Sequence, residues 1–247
     1  MRKLLAVIGH PIAHSLSPKI HDAFIAEAGL DMAYVPFDIK PEEIEDFFKS
    51  AKLLNIVGFN VTMPLKEAAA RLTSGDSVNT VALKNGVFHG SSTDGQGLIN
   101  ALNGNIKGKK VTIIGDGGSA KAVVPALIPY ADITTVARKT GRPFSDLPAI
   151  CAETDILINT TPLGMEGFED FADLNFVAAL PKHAVVFDLI YVPRETSLIK
   201  KAKDLNLTAI NGIALLVHQA ALSFEAFTGI KPSDELVREL IYHINIR

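Results

Sequence analysis

Val111-Thr-Ile-Ile-Gly115-Asp116-Gly117-Gly118-Ser119-Ala120 joins an apolar run to a glycine loop and then to a helical pattern. The spacing predicts a strand over 110–114 and a helix over 119–130, which Pro125 should kink by removing a backbone donor. Backbone amides at a helix N-terminus are unpaired donors at the positive end of the helix dipole, and glycines let a phosphate approach them closely. Gly115-x-Gly117-Gly118-x-Ala120 is a variant of the fingerprint that cradles a dinucleotide pyrophosphate, with Ser119 inside the loop's reach. The plainer alternative is an ordinary strand-to-helix turn. Asp116 is an awkward member, since a carboxylate repels a pyrophosphate unless it points away.

The type of dinucleotide is read about twenty residues further on. The next strand, over 133–137, ends in Arg138-Lys139, where an NAD site usually carries an acid for the ribose hydroxyls. Two cations fit a ribose 2′-phosphate instead, with Arg142 as a possible third partner, which favours NADP over NAD. The alternative is a solvated charged turn. Later strands are expected over 155–159, 184–189 and 207–210, with a helix over 196–206. The ends of two of them, Asn159-Thr160-Thr161-Pro162 and Asp188-Leu189-Ile190-Tyr191, fall where open sheets bind ligands.

Upstream, strand and helix signals also alternate. Strands are predicted over 4–8, 33–39 and 56–61, and helices over 18–28 and 41–54. A hairpin over 80–84 and 87–90 turns at Asn85-Gly86, a strong two-residue turn signal. Ser17 reads as the cap of the first helix, with Pro18 as its first residue. That structural role competes with a second one, in which Ser15 and Ser17 hold a substrate carboxylate. Asn60 and Thr62 share one strand face, and Pro64 opens a helix with Lys66 in its first turn. A cation at a helix N-terminus is placed against local preference, which hints at function, and Asp94 is a candidate to orient its ammonium. Helices are expected over 95–102, 212–228 and 233–244, the last two returning to the first domain. Gln219 lies on the first of these two, where it can reach a ligand hydroxyl or satisfy a buried group.

The 247 residues carry a net charge of −3 and 48% apolar residues. No basic field recruits nucleic acid or an acidic membrane surface, and no apolar run is long enough to span a bilayer. Cys151 is the single cysteine, so an intramolecular disulfide is impossible and a reducing cytoplasm is the expected setting. His10 and His14 lie in a Gly-Pro loop without thiols or a carboxylate cluster, so no metal site is expected.

Together these residues resemble the shikimate dehydrogenase family. The signposts are His14-Ser-Leu-Ser-Pro18, Gly58-Phe-Asn-Val-Thr-Met-Pro-Leu-Lys66, Val78-Asn-Thr80, Thr93-Asp-Gly95, the glycine loop, Asn159-Thr-Thr-Pro-Leu-Gly-Met165 and Val217-His-Gln-Ala220. Their order and co-occurrence from Gly9 to Gly229 make the match specific. The resemblance implies an α/β fold with an N-terminal substrate domain (1–94 and 212–247), a Rossmann-like NADP-binding domain (95–211), and C-terminal helices returning to the substrate domain. It implies NADPH-dependent reduction of 3-dehydroshikimate to shikimate, with Lys66 and Asp94 as the catalytic pair. Ser15 and Ser17 would hold the carboxylate. Asn60, Thr62, Asn79 and Gln219 would bond the ring hydroxyls, with Tyr191 beside the substrate. Thr160, Thr161, Leu189 and Gly212 would line the cofactor site with the glycine loop, Arg138 and Lys139. A monomer or homodimer is expected. Two other readings are a quinate/shikimate dehydrogenase using NAD, and a non-catalytic nucleotide-binding regulator, which would be expected to lack Lys66 or Asp94. The chain departs from the family pattern at Leu65, in the short 67–78 interval, at Ser91-Ser92, Asp116 and Ala137-Arg138-Lys139, and at Gly212-Ile-Ala-Leu215.

Overall fold

A computed structural model describes residues 2–73 and 78–246. The short 67–78 interval singled out in the sequence therefore lies partly outside the described residues. The chain divides into two compact units, Met1–Gly97 with Val217–His243, and Leu98–Leu216 with Ile244–Arg247.

The first unit is built on a five-stranded sheet of order β2-β1-β3-β4-β5, from β1 (Lys3–Gly9), β2 (Met32–Asp38), β3 (Ile56–Val61), β4 (Thr80–Lys84) and β5 (Val87–Ser91). Helices α1 (Ser17–Glu27) and α2 (Ile44–Leu53) make the crossovers that keep β1, β2 and β3 parallel. The tight Asn85-Gly86 turn, with both residues at positive φ (51° and 76°), makes β4 and β5 antiparallel neighbours. Helix α3 (Lys66–Thr73) follows β3. The core stacks Phe47, Phe48, Phe59 and Phe88 edge to face at 5.1–5.8 Å. Leu65, a departure from the family pattern, is fully buried in this core.

The second unit carries an all-parallel sheet of order β10-β9-β8-β6-β7. Its strands are β6 (Lys110–Ile114), β7 (Asp132–Val136), β8 (Ile156–Asn159), β9 (Val185–Asp188) and β10 (Thr208–Ile210), with helices α4 (Asp94–Ala101), α5 (Gly118–Leu127), α6 (Leu147–Cys151) and α7 (Ser197–Asp204) along the chain. Residues Ile114, Val136, Asn159 and Asp188 pair across the sheet, so the carboxyl ends of four strands form one row. Strand order reverses at β6, and the glycine loop leaves that strand, which is where open α/β sheets take their ligands. Helices α8 (Gly212–Thr228) and α9 (Asp234–Ile246) close the chain. Phe224 and Phe227 of α8 pack around His21 of α1, so the C-terminal helices return to the first unit. The breaks between units fall inside α4 and α8.

Several local expectations are corrected. Helix α1 begins at Ser17 with Leu16 as its cap residue and no side-chain cap, because the Ser15 hydroxyl accepts the Ser17 amide instead (3.3 Å). Helix α3 begins at Lys66, not Pro64, since a turn closed by the Leu65 amide on the Thr62 carbonyl comes first. Helix α5 stops at Leu127, two residues beyond Pro125, short of the expected Tyr130. Residues 41–43 form a 3₁₀ turn ahead of α2, and α6 carried no clear periodic signal at five residues.

Candidate active site

Lys66 and Asp94 are the first residues of α3 and α4. The Lys66 ammonium lies 2.7 Å from Asp94 Oδ2, with side chains only 24% and 14% exposed. An acid at a helix start is favoured by the dipole and a cation is not, so Asp94 offsets the unfavourable position of Lys66. Such a sheltered pair feels little screening by salt.

Asn79, just before β4, fixes the other side of Asp94. Its amide nitrogen donates to Asp94 Oδ1 (2.7 Å), to Thr93 Oγ1 (3.0 Å) and to the Gln219 carbonyl oxygen (3.3 Å). Its own carbonyl accepts from the Thr93 amide and the Thr80 hydroxyl, both at 2.9 Å. Both carboxylate oxygens of Asp94 are thereby held, one by the amide and one by the ammonium. Gly97 permits the approach of α8 here: a Cβ on it would sit 2.9 Å from Gln219 Cβ.

Asn60 on β3 is buried beside this group. It donates to the Asn79 carbonyl (3.2 Å) and Thr80 Oγ1 (3.4 Å), and its Oδ1 accepts from the Tyr34 hydroxyl (2.8 Å). Burial pushes the Tyr34 phenol well above its ordinary range, the neighbouring Ser17 hydroxyl opposing. Tyr34 in turn stacks on His21, with ring centroids 4.1 Å apart and planes within 6°. His21 is fully buried, its ring nitrogens have no partner within hydrogen-bond geometry among the described residues, and burial, opposed by the neighbouring Asn60 side chain, lowers its pKa to about 3. Ser17 is buried, while Ser15 and Thr62 are half-buried. The hydroxyl of Thr62 makes no hydrogen bond among the described residues. Lys66, Asp94, Asn79, Asn60, Thr62, Ser15, Ser17 and Gln219 all belong to the first unit.

In the second unit, Gly115 has φ +115°, and a Cβ there would collide with Thr160 Oγ1. The Thr160 hydroxyl donates to the Ile114 carbonyl (2.8 Å), which ties the end of β8 to the start of the loop. Gly117 and Gly118 are exposed, with open space where a Cβ would stand. The amides of Gly117, Gly118, Ser119 and Ala120 precede or open α5 and have no intrahelical acceptor. These features fit a pyrophosphate. Arg138 and Lys139 are exposed at a turn closed by the Ala137 amide on the Arg142 carbonyl (3.0 Å), and their side chains have no partner among the described residues. The Arg142 guanidinium, expected as a third phosphate partner, lies on the Asp146 carboxylate four residues on, at 2.8 and 2.6 Å, with its side chain 62% exposed. Asp116 turns to Thr140, whose hydroxyl donates to Oδ2 at 2.8 Å.

The strand ends beyond β8 and β9 are held by a buried carboxylate. Asp188 accepts from Asn159 Nδ2 (3.0 Å), the Ile190 amide (3.1 Å) and the Thr196 hydroxyl (2.6 Å), and burial raises its pKa to about 6. Asn159 Oδ1 also accepts the amide and hydroxyl of Thr161 (3.0 and 2.6 Å). The Leu189 amide donates to the Asn159 carbonyl, and the Gly212 amide to Ile190. Tyr191 belongs to this loop, half-buried, with its phenol pushed up by burial. Asp188 and Asn159 appear in the sequence only as strand-end polar residues. Tyr34 and His21 carry no sequence signal beyond sitting in apolar elements. His10 pairs with Asp38 at 2.7 Å. Among the described residues no three His, Cys, Asp or Glu side chains are grouped to hold a metal ion, and no helix is long and apolar enough to cross a membrane.

A fold with a mixed α/β unit holding a lysine–carboxylate pair, and a parallel unit with a dinucleotide-type loop, defines a nicotinamide-dependent oxidoreductase scaffold. Residues 7–86 match the model of the shikimate dehydrogenase substrate binding domain, and residues 212–242 that of the shikimate 5′-dehydrogenase C-terminal domain. The chain is 37% identical to a shikimate dehydrogenase (NADP(+)) of Methanocaldococcus jannaschii, over 97% of this chain and 96% of the relative. Its fold matches that of Thermus thermophilus shikimate 5-dehydrogenase, solved with NADP(H) and shikimate, at TM-score 0.85 and 29% identity, over 98% of this chain and 99% of the other. It also matches Listeria monocytogenes shikimate 5-dehydrogenase, solved with shikimate and NAD, at TM-score 0.83 and 29% identity, over 97% and 96%. The chain belongs to the shikimate dehydrogenase family.

Proposed function

We propose that this protein catalyses the reversible NADPH-dependent reduction of 3-dehydroshikimate to shikimate. The observation that carries the reading is the sheltered Lys66–Asp94 pair, anchored by Asn79 and present intact in a member of this family. NADPH, when bound, supplies the hydride that adds to the C3 carbonyl carbon. Lys66 gives its ammonium proton to the oxygen as negative charge develops there, and is reprotonated from solvent. In the reverse direction neutral Lys66 takes the hydroxyl proton. Asp94 aims the ammonium and stabilises its charge.

In this reading the first unit is the substrate domain. Ser15 and Ser17 at the start of α1 hold the ring carboxylate, helped by the positive end of the helix. Thr62, Asn79 and Gln219 bond the ring hydroxyls. Asn60, whose amide protons already go to protein acceptors, is left with one acceptor lone pair for the ring. Tyr191 lies beside the substrate. The second unit is the NADP domain: the amides of the Gly115–Ala120 loop take the pyrophosphate, Arg138 and Lys139 the 2′-phosphate, and Thr160, Thr161, Leu189 and Gly212 line the cofactor. The protein works as a monomer or a homodimer in this reading. The lone buried Cys151 fits a cytoplasmic setting. A non-catalytic regulator would be expected to lack Lys66 or Asp94, and both are present.

The test is spectrophotometric. Shikimate and NADP with the purified protein should produce reduced nicotinamide, faster than NAD or quinate in their place. No reduction by folded protein in any of the four mixtures contradicts the reading. Equal rates with quinate would move the protein to the broader quinate/shikimate activity.

A further inference from the structure

We propose that Asp116 is a specificity-determining residue for the cofactor: its carboxylate weakens the grip of the basic turn on a 2′-phosphate. NADP is then favoured over NAD by a narrower margin than Arg138 and Lys139 alone would give. The inference rests on the NADP reading above.

Asp116 sits between the glycines of the phosphate loop, where a carboxylate has no favourable business with a pyrophosphate. The structure gives it another partner. Its Oδ2 accepts the Thr140 hydroxyl at 2.8 Å, which bridges the loop after β6 to the turn after β7. Thr140 directly follows Lys139, so the carboxylate is bonded to the residue next in the chain after the two cations, and exposed charges interact over ~10 Å at moderate salt. The turn cannot readily carry Thr140 away. It is closed by the Ala137 amide on the Arg142 carbonyl (3.0 Å) and the Arg142 amide on the Thr135 carbonyl (2.9 Å). Arg142 adds nothing to the count, being bound to Asp146.

The turn therefore meets the ribose with two positive charges and one negative. A 2′-phosphate, carrying about −1.5 to −2 charge near neutrality, is attracted by the first two and repelled by the third. A plain 2′-hydroxyl is an uncharged donor, and the Asp116 carboxylate is an acceptor bridged to that turn through Thr140. The acid that an NAD site places at the end of the second strand is supplied here from the glycine loop.

The experiment compares adenosine 2′,5′-bisphosphate with 5′-AMP, which differ only in the 2′-phosphate. Binding is read by calorimetry, since the chain has no tryptophan to report it. The ratio of their affinities should rise about three- to tenfold in both Asp116→Asn and Asp116→Ala, and the rise should shrink at 1 M salt. Asn keeps a hydrogen-bond acceptor for Thr140 and removes only the charge. A ratio unchanged in Asp116→Asn overturns the proposal, as does a rise confined to Asp116→Ala, which would mark a strut instead of a charge. The Arg138→Ala/Lys139→Ala double variant separates the two levels. If it lowers the ratio, the 2′-phosphate site stands whatever Asp116 does. If it leaves the ratio unchanged, the NADP reading of this turn fails, and the proposal with it.

Discussion

The two units solve opposite problems with their polar groups. In the first, Lys66, Asp94, Asn79, Asn60, Thr80 and Thr93 bond to one another, mostly buried. In the second, the Gly115–Ala120 loop offers backbone amides, and the cations at Arg138 and Lys139 stand in solvent. A proton must move between atoms held within a few tenths of an ångström, so the groups that move it are preorganised. A phosphate is recognised by unpaired donors, so those groups stay open until it arrives. Substitutions in the first set should cost turnover and stability together, and those in the second mainly affinity.

The buried titratable groups sharpen the contrast. His21 in the first unit has its pKa lowered to about 3 by burial, and Asp188 in the second has its pKa raised to about 6 by the same cause. Folded His21 refuses a proton that the unfolded chain accepts near pH ~6.5, so its contribution is full above that and lost as pH falls toward 3. Folded Asp188 keeps a proton that the unfolded chain gives up near pH ~4, so its contribution is full below that and lost as pH rises through 6. Acidification from pH 6 to 4 should weaken the first unit while favouring the second.

The largest effect is expected at Asp94. Replacing it by Ala removes the partner that aims Lys66 and should lower turnover about 10²–10⁴-fold in the nicotinamide absorbance assay. Next, Asp188→Ala strands three donors at the strand ends and should cost roughly 2–4 kcal/mol in urea unfolding. Asp188→Asn, which keeps the shape, should cost less and remove the part of the stability change between pH 4 and 6 that Asp188 contributes. Third, His21→Phe keeps a ring on Tyr34 and removes the nitrogens. The stability lost between pH 6.5 and 4.5 should shrink by about 2 kcal/mol, and an undiminished loss would mean that acid attacks elsewhere. The smallest is Tyr34→Phe. Freeing Asn60 Oδ1 should cost about 1 kcal/mol in stability and raise KM for shikimate more than it lowers kcat.

Some of this was legible in the sequence, for physical reasons. Lys66 stood out because it opposes the helix dipole, and Gly115–Ala120 because a strand and a helix pattern flank it. Asn85-Gly86 fixed its hairpin through backbone geometry alone. Asn79 could not be recognised as a hub, because its partners Asp94 and Gln219 lie 15 and 140 residues away. Tyr34 sits in a strand where an aromatic residue is ordinary, and its hydroxyl finds Asn60 only when β2, β1 and β3 assemble. Asp188 looks like a strand end until Asn159 and Thr196 close on it. The pairing of Arg142 with Asp146 was legible too: Asp146 is four residues on, a spacing that pairs charges along a helical turn.

The central claim is that a prebuilt lysine–carboxylate pair moves the proton while other groups bind the ligands. It is tested most directly by Lys66→Ala, with turnover followed by absorbance and the dissociation constants of shikimate and NADP measured by calorimetry. Turnover should fall by about 10²–10⁴-fold with both constants within a few fold of the parent. Turnover that stays within a few fold would contradict the account, and would mean that another group carries the proton.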